Sequence, residues 1–205
     1  MSSNLLSRAT DAVTQNDLQY MVLDAEELPE ALVGYQVVRE NGMDNATLAE
    51  FGFATASEER FGKAGRIHGF VREFAPRPNA RSAANIVVGT VAHLFESPEA
   101  VSGWMHEIFL HDFESNIGED TGGGQMLLSV DRLDPKGFFD EAVAIKAVQS
   151  GIGDMVSSTV IDFRVGRILG VVYVGAPGDV EYLDLATEVG IALEKKIVGT
   201  VLRVS

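Results

Sequence analysis

The stretch Asn85-Ile-Val-Val-Gly-Thr-Val-Ala-His-Leu-Phe95 constrains the fold more than any other part of this chain. It is nearly continuous in apolar and β-branched residues and lacks the alternation of a strand with one face in water. That pattern predicts a strand buried on both sides. The segment before it, from Arg66 to Phe74, carries the aromatic and β-branched residues of a strand and is closed by Pro76 and Pro78, so the two should form a hairpin. Val156 to Phe163 and Arg167 to Val174, with Val165-Gly166 between them, predict a second hairpin.

Each hairpin is followed by a helix signal. Ser97 can cap free amides, Pro98 needs no donor at the first helical position, and Glu99 faces the positive helix end. The helix should span 98 to 113, with Ala100, Val101, Trp104, Ile108 and His111 on one face. A second helix is expected over 180 to 198, capped by Asp179, stopped by Gly199 and buried along Tyr182, Ala186, Val189, Leu193 and Ile197. The reading is an α+β fold: an antiparallel sheet built from two strand-strand-helix repeats, with helices packed on the sheet. Val88, Val91, Trp104, Ile108, Val171, Ala186 and Val189 are the expected core.

A length of 205 residues fits one domain. Residues 1–17 read as a polar arm and 18–205 as a single α+β domain. Leu18 to Leu23 reads as a strand or turn running into the kink at Pro29, and Gly34 to Arg39 as a short strand closed by Asn41-Gly42. A helix capped by Asp44 or Asn45 should then run towards Arg60, with Leu48 and Phe51 on one face. Further on, Thr121-Gly-Gly-Gly124 reads as a loop, Met126 to Val130 as a strand, Lys136 to Asp140 as a turn or short helix, and Ala142 to Val148 as a strand.

Thirty acidic residues against sixteen Lys and Arg give a net charge of -14, which argues against nucleic acid and anionic membranes as partners. The charge is unevenly distributed. Arg60, Lys63, Arg66, Arg72, Arg77 and Arg81 form a basic stretch, and Glu96, Glu99, Glu107, Asp112, Glu114, Glu119 and Asp120 an acidic one. These blocks serve either as solvated faces or as complementary surfaces of a homodimer, each meeting its opposite across a two-fold axis. The chain has no cysteine, hence no disulfide, thiolate metal site or thiol nucleophile. It shows neither the basic-plus-apolar start of an export signal nor a run long enough to span a membrane, so it is expected to be soluble, and extracytoplasmic if a leader has been removed.

No catalytic apparatus is recognisable. His106 and His111 are five residues apart, so on an α-helix they diverge by about 140° and do not converge on one ion. His111 instead shares the Trp104 face as a core-edge residue. Phe61-Gly-Lys-Ala-Gly65 lacks the features of a phosphate loop, and Gly151-Ile-Gly-Asp154 leads into a strand and reads as a turn. Glu58-Glu59 and Glu119-Asp120 lie in polar stretches and read as solvated carboxylates, not as a general acid–base pair. Asn45-Ala-Thr47 is a glycosylation triplet of the kind that occurs by chance. The sequence therefore nominates no catalytic, cofactor-binding or metal-binding residue, and no cofactor. The expected function is a non-enzymatic binding or sensing module whose partner is an unknown small molecule or protein. The alternative is a ferredoxin-like α+β barrel, enzyme or carrier, acting on a small apolar molecule in a cavity lined by His68, His93 or Trp104.

Four local patterns occur in order: Asp24-Ala-Glu-Glu-Leu-Pro-Glu30, Gly69-Phe-Val-Arg-Glu-Phe74, Leu94-Phe-Glu-Ser-Pro-Glu-Ala100, and Gly151-Ile-Gly-Asp154 followed by Phe163-Arg-Val-Gly-Arg-Ile-Leu-Gly-Val-Val172. Together they resemble bacterial exported lipoproteins and kinase-sensor ectodomains with a PsbP-like α/β/α sandwich, over residues 18 to 199. The resemblance implies a scaffold or ligand-binding role without catalysis and supplies no functional residues. The chain departs from the exported pattern in lacking a leader and a lipid-bearing cysteine.

Overall fold

The computed structural model describes residues 8–77, 85–121, 125–150 and 154–202. Within them, seven strands form one antiparallel sheet: β1 (Tyr35–Met43), β2 (Arg66–Pro76), β3 (Val87–Phe95), β4 (Leu127–Leu133), β5 (Ala142–Ser150), β6 (Met155–Val165) and β7 (Ile168–Pro177). The sheet order is β1-β2-β3-β7-β6-β5-β4. Both expected hairpins form, and they join through the β3–β7 pair, in which Val88 faces Val174 and Val91 faces Val171. The sheet is open, with β1 and β4 at its edges, so the barrel alternative is corrected.

Burial of β3 on both sides follows from layers on both faces. One face carries Phe74, Val88, Ala92, Ile161, Phe163, Val172 and Val174 against the long helix and the N-terminal turns. The other carries Phe95, Leu169, Val91 and Ile145 beneath shorter helices. These are α1 (Asn45–Ala49), α2 (Glu58–Lys63), α3 (Pro98–Gly103) and α4 (His111–Ser115), with a π-helical segment, Trp104–Leu110, joining α3 to α4. The long helix is α5 (Leu183–Leu202), which buries Ala186, Val189, Leu193 and Ile197 as its apolar stripe requires. Val88, Val91, Trp104, Ala186 and Val189 are buried as expected, whereas Ile108 and Val171 are half-buried.

The start signals hold at two helices. Ser97 Oγ accepts from the Ala100 amide at 3.2 Å with Pro98 in the first turn, and the Asp44 carboxylate accepts from the Thr47 amide at 2.8 Å. Elsewhere tertiary partners override local signals. Asp179 pairs with Lys146 instead of capping α5, and the segment before α5 is held by β6 hydroxyls, with Ser157 Oγ bonded to Val180 and Thr159 Oγ1 accepting from the Tyr182 amide. Gly199 does not stop α5, which runs through it to Leu202. Asn41-Gly42 lies inside β1, paired with Val71 and Phe70, and is not a turn. The helix expected from 44 to 60 is split into α1 and α2. Leu18 to Leu23 is no strand: a 3₁₀ turn, Gln15–Tyr20, buries Leu18, and Met21, Val22 and Leu23 follow it into the core.

From Thr10 on, the segment expected as a polar arm is tied to the body. Arg167, at the tip of the β6–β7 hairpin, donates to the carbonyls of Thr10 (2.9 Å), Asp11 (3.1 Å), Val13 (2.7 Å) and Phe95 (3.1 Å). Thr10 is fully buried as a result. The expectations for Met1 to Ser7, Pro78, Arg81, the run Gly122 to Gly124 and the turn Gly151 to Gly153 lie outside the described residues.

Candidate ligand cleft

On the sheet face covered by α1, α2 and the 98–115 helix, an open cleft of about 500 Å³ separates two walls. One wall is Leu48 to Phe61; the other is the segment from Trp104 to Phe113. Six aromatic rings line it: Phe51, Phe53, Phe61, Trp104, Phe109 and Phe113. The rings hold one another in place. Trp104 packs on Phe61 and Phe95 at centroid distances of 5.0 and 5.4 Å, and Phe113 meets Phe53 and Phe109 edge-on at 5.2 and 5.5 Å. Thr121, Gln125 and Gln149 supply neutral polar groups, and Glu50 and Asp112 supply carboxylates.

A paired charge bridges the walls. Arg60 of α2 donates from both terminal nitrogens to the two Asp112 oxygens of α4, at 2.6 and 2.7 Å, and the hydrogen bond to Asp112 raises the guanidinium pKa. Asp112 faces inward because the π-helical segment changes the phase of the helix. Each π turn closes one residue later than an α turn, so the inward face slips from His111 to Asp112. This corrects the placement of His111, which is exposed with its Nδ1 3.4 Å from Ser115 Oγ. His106 points elsewhere, 2.7 Å from Glu141. No group of three or more His, Asp or Glu that could hold a metal occurs among the described residues.

Neither His68 nor His93 lines the cleft, although Trp104 does. His93 is buried against Arg66, whose Nε and a terminal nitrogen both point at Nδ1, at 3.2 and 2.9 Å. A guanidinium only donates, so Nδ1 accepts and the imidazole proton sits on Nε2. Burial and the Arg66 charge hold the His93 pKa well below its ordinary value, and burial lowers that of Arg66 to about 10. Arg66 also donates to the Met43 carbonyl at 2.9 Å and to Asn45 Oδ1 at 2.6 Å. Asn45 returns a bond to the Arg66 carbonyl at 3.0 Å, so its amide is engaged at both ends and the glycosylation triplet is part of the fold's framework. Gly69 makes this cluster possible, since a Cβ there would overlap the His93 ring and the Arg66 guanidinium.

The basic stretch is largely engaged within the chain: Arg60 with Asp112, Lys63 with Glu59, and Arg72 with Asp24 and Glu40. One further group escaped sequence reasoning. Asp162 of β6, 2% exposed, lies in register between Val143 and Val171, which pack against the apolar cluster that contains Trp104 and Met105. It has no hydrogen-bond or ion-pair partner among the described residues, and burial raises its pKa well above the ordinary carboxylate value.

No protein-family model and no curated protein matches the chain. The solved structures it is similar to include two from mycobacteria. The extracellular domain of PknH from Mycobacterium tuberculosis superposes with a TM-score of 0.60 at 11% identity, over 90% of this chain and 96% of that one. An uncharacterised protein from Mycobacterium smegmatis, an Rv0999 ortholog, gives 0.39 at 12% identity, over 79% and 90%. The likeness to the PknH domain is one of fold, over nearly the whole of both chains. Among the described residues no helix is long and apolar enough to cross a membrane.

Sequence reasoning missed most of the cleft. Its rings come from two stretches, 51–61 and 104–113, each unremarkable alone, and Gln125 and Gln149 come from β4 and β5 and their approaches. The only available signal was density: five of the eleven phenylalanines fall within those two stretches.

Proposed function

We propose that this chain is a non-enzymatic sensing module that binds a small apolar molecule in the aromatic cleft. The observation that carries the reading is the cleft itself, an apolar concavity of about 500 Å³ with six rings and a few neutral polar groups. The fold it shares with an extracellular domain supports the same reading, as well as a place outside the cytoplasm. The titratable groups do not converge on the cleft as an acid–base pair. His106 contacts Glu141 elsewhere, His93 is engaged by Arg66, and Asp112 is held by Arg60.

Titration with the neutral dye Nile red tests the reading. Saturable binding at one site with a blue-shifted emission is expected, and Ala56→Trp, which fills the cleft from its half-buried wall, should abolish it. Binding unaffected by Ala56→Trp would refute the cleft as the site.

A further inference from the structure

We infer that the cleft selects an organic cation: an apolar or aromatic body carrying an amine or quaternary ammonium. This rests on the cleft being the binding site. Among the described residues its lining contains two carboxylates, Glu50 and Asp112, and no Lys, Arg or His. Both Asp112 oxygens are occupied by Arg60, whereas Glu50 is exposed and makes no ion pair among the described residues. An anionic ligand entering here would lose water and meet a carboxylate, with no lining cation to receive it.

The rings add attraction of the same sign, because the face of an aromatic ring is the negative end of its quadrupole. The rim already shows this chemistry. The Arg39 guanidinium lies 5.1 Å from the centre of the Phe51 ring, and Arg39 is itself neutralised by Glu73 at 3.5 Å. Phe51 remains 60% exposed, so part of its ring is open to a second cation. A net charge of -14 raises the local concentration of cations around the whole molecule.

The test uses the full chain and the emission of Trp104, its only tryptophan, which lines the cleft. Three probes share one body and differ in head: phenylbutyl-trimethylammonium, phenylbutanol and phenylbutanoate. The ammonium should bind about tenfold more tightly than the alcohol, and the carboxylate more weakly than either. The preference should shrink as salt shortens the Debye length, and should fall to about two- to threefold in Glu50→Gln, an exposed substitution that leaves the fold intact. If the alcohol binds as tightly as the ammonium, selection by charge is wrong while the cleft reading stands. If Glu50→Gln keeps the full preference, Glu50 is not the selecting group. If no probe changes Trp104 emission, both this inference and the cleft reading fall.

Discussion

Arg60 and Asp112 are fifty-two positions apart in sequence and joined by two hydrogen bonds that hold the walls of the cleft together. The side chains are 27% and 12% exposed, which places the pair between a solvated and a buried ion pair. A double-mutant cycle with Arg60→Ala and Asp112→Ala should give a coupling of about 1–2 kcal/mol, measured by urea unfolding. A coupling near zero would show that the walls are held by ring packing alone.

Trp104 is 8% exposed, wedged between Phe61 and Phe95, and is both a core residue and part of the cleft lining. Trp104→Ala should cost about 3–5 kcal/mol of stability. Since the substitution removes the fluorophore, far-ultraviolet circular dichroism during denaturant unfolding is the appropriate measurement. A loss below about 1 kcal/mol would mean that the rings repack across the gap.

Much of this fold is legible in the sequence, for identifiable reasons. β2, β3, β6 and β7 are long runs of β-branched and aromatic residues, and β-branched side chains favour the pleated backbone wherever they occur. Ser97, Pro98 and Glu99 act within a single turn, so their signal is complete in the local sequence. What was not legible depends on distant partners. Asp179 has a capping residue's identity but is drawn to Lys146 on β5, and Gln15 to Leu23 is held by Thr200 of α5, which donates to the Tyr20 carbonyl, and by Arg72 of β2, which donates to that of Leu23. The phase slip of the π-helical segment has no local signature, so regular α-helical spacing puts His111 in the place that Asp112 holds. The cleft suffers from the same limit, since no window of sequence contains both of its walls.

Asp162 makes stability depend on pH. Its folded pKa is raised, so the folded state keeps a proton that the unfolded state releases. Its stabilising contribution is therefore full below the unfolded value of about 3.9, declines as pH rises towards the folded pKa and is lost above it. Asp162→Asn carries no such titration. Its stability relative to the parent should be near parity at pH ~4 and should rise with pH, reaching about 1–3 kcal/mol. Urea unfolding of both proteins across a pH series measures this. Parallel curves would show that Asp162 is solvated or paired in solution.

Arg167 gathers the backbone carbonyls of Thr10, Asp11, Val13 and Phe95 on one guanidinium. Arg167→Ala should destabilise the protein by about 2–3 kcal/mol, concentrated at one place. Amide exchange should accelerate for Val13 and its neighbours while the β3–β7 pair keeps its protection. Uniform acceleration would instead indicate that the N-terminal segment and the sheet open together.

The same anchoring determines how the molecule carries mechanical load. Tyr20 and Thr200 are joined by a 3.1 Å hydrogen bond, and Ala9, Ala12 and Met21 border a small cavity together with Thr200 and Val201, so the N-terminal segment and the far end of α5 touch. A tension applied between Thr10 and Leu202 is borne first by these contacts and by Arg167, on one side of the sheet. The strands are not in series with that force. Their ladder of hydrogen bonds is shielded until the outer layer has been peeled away, which makes the two ends a mechanical fuse and the sheet a protected frame.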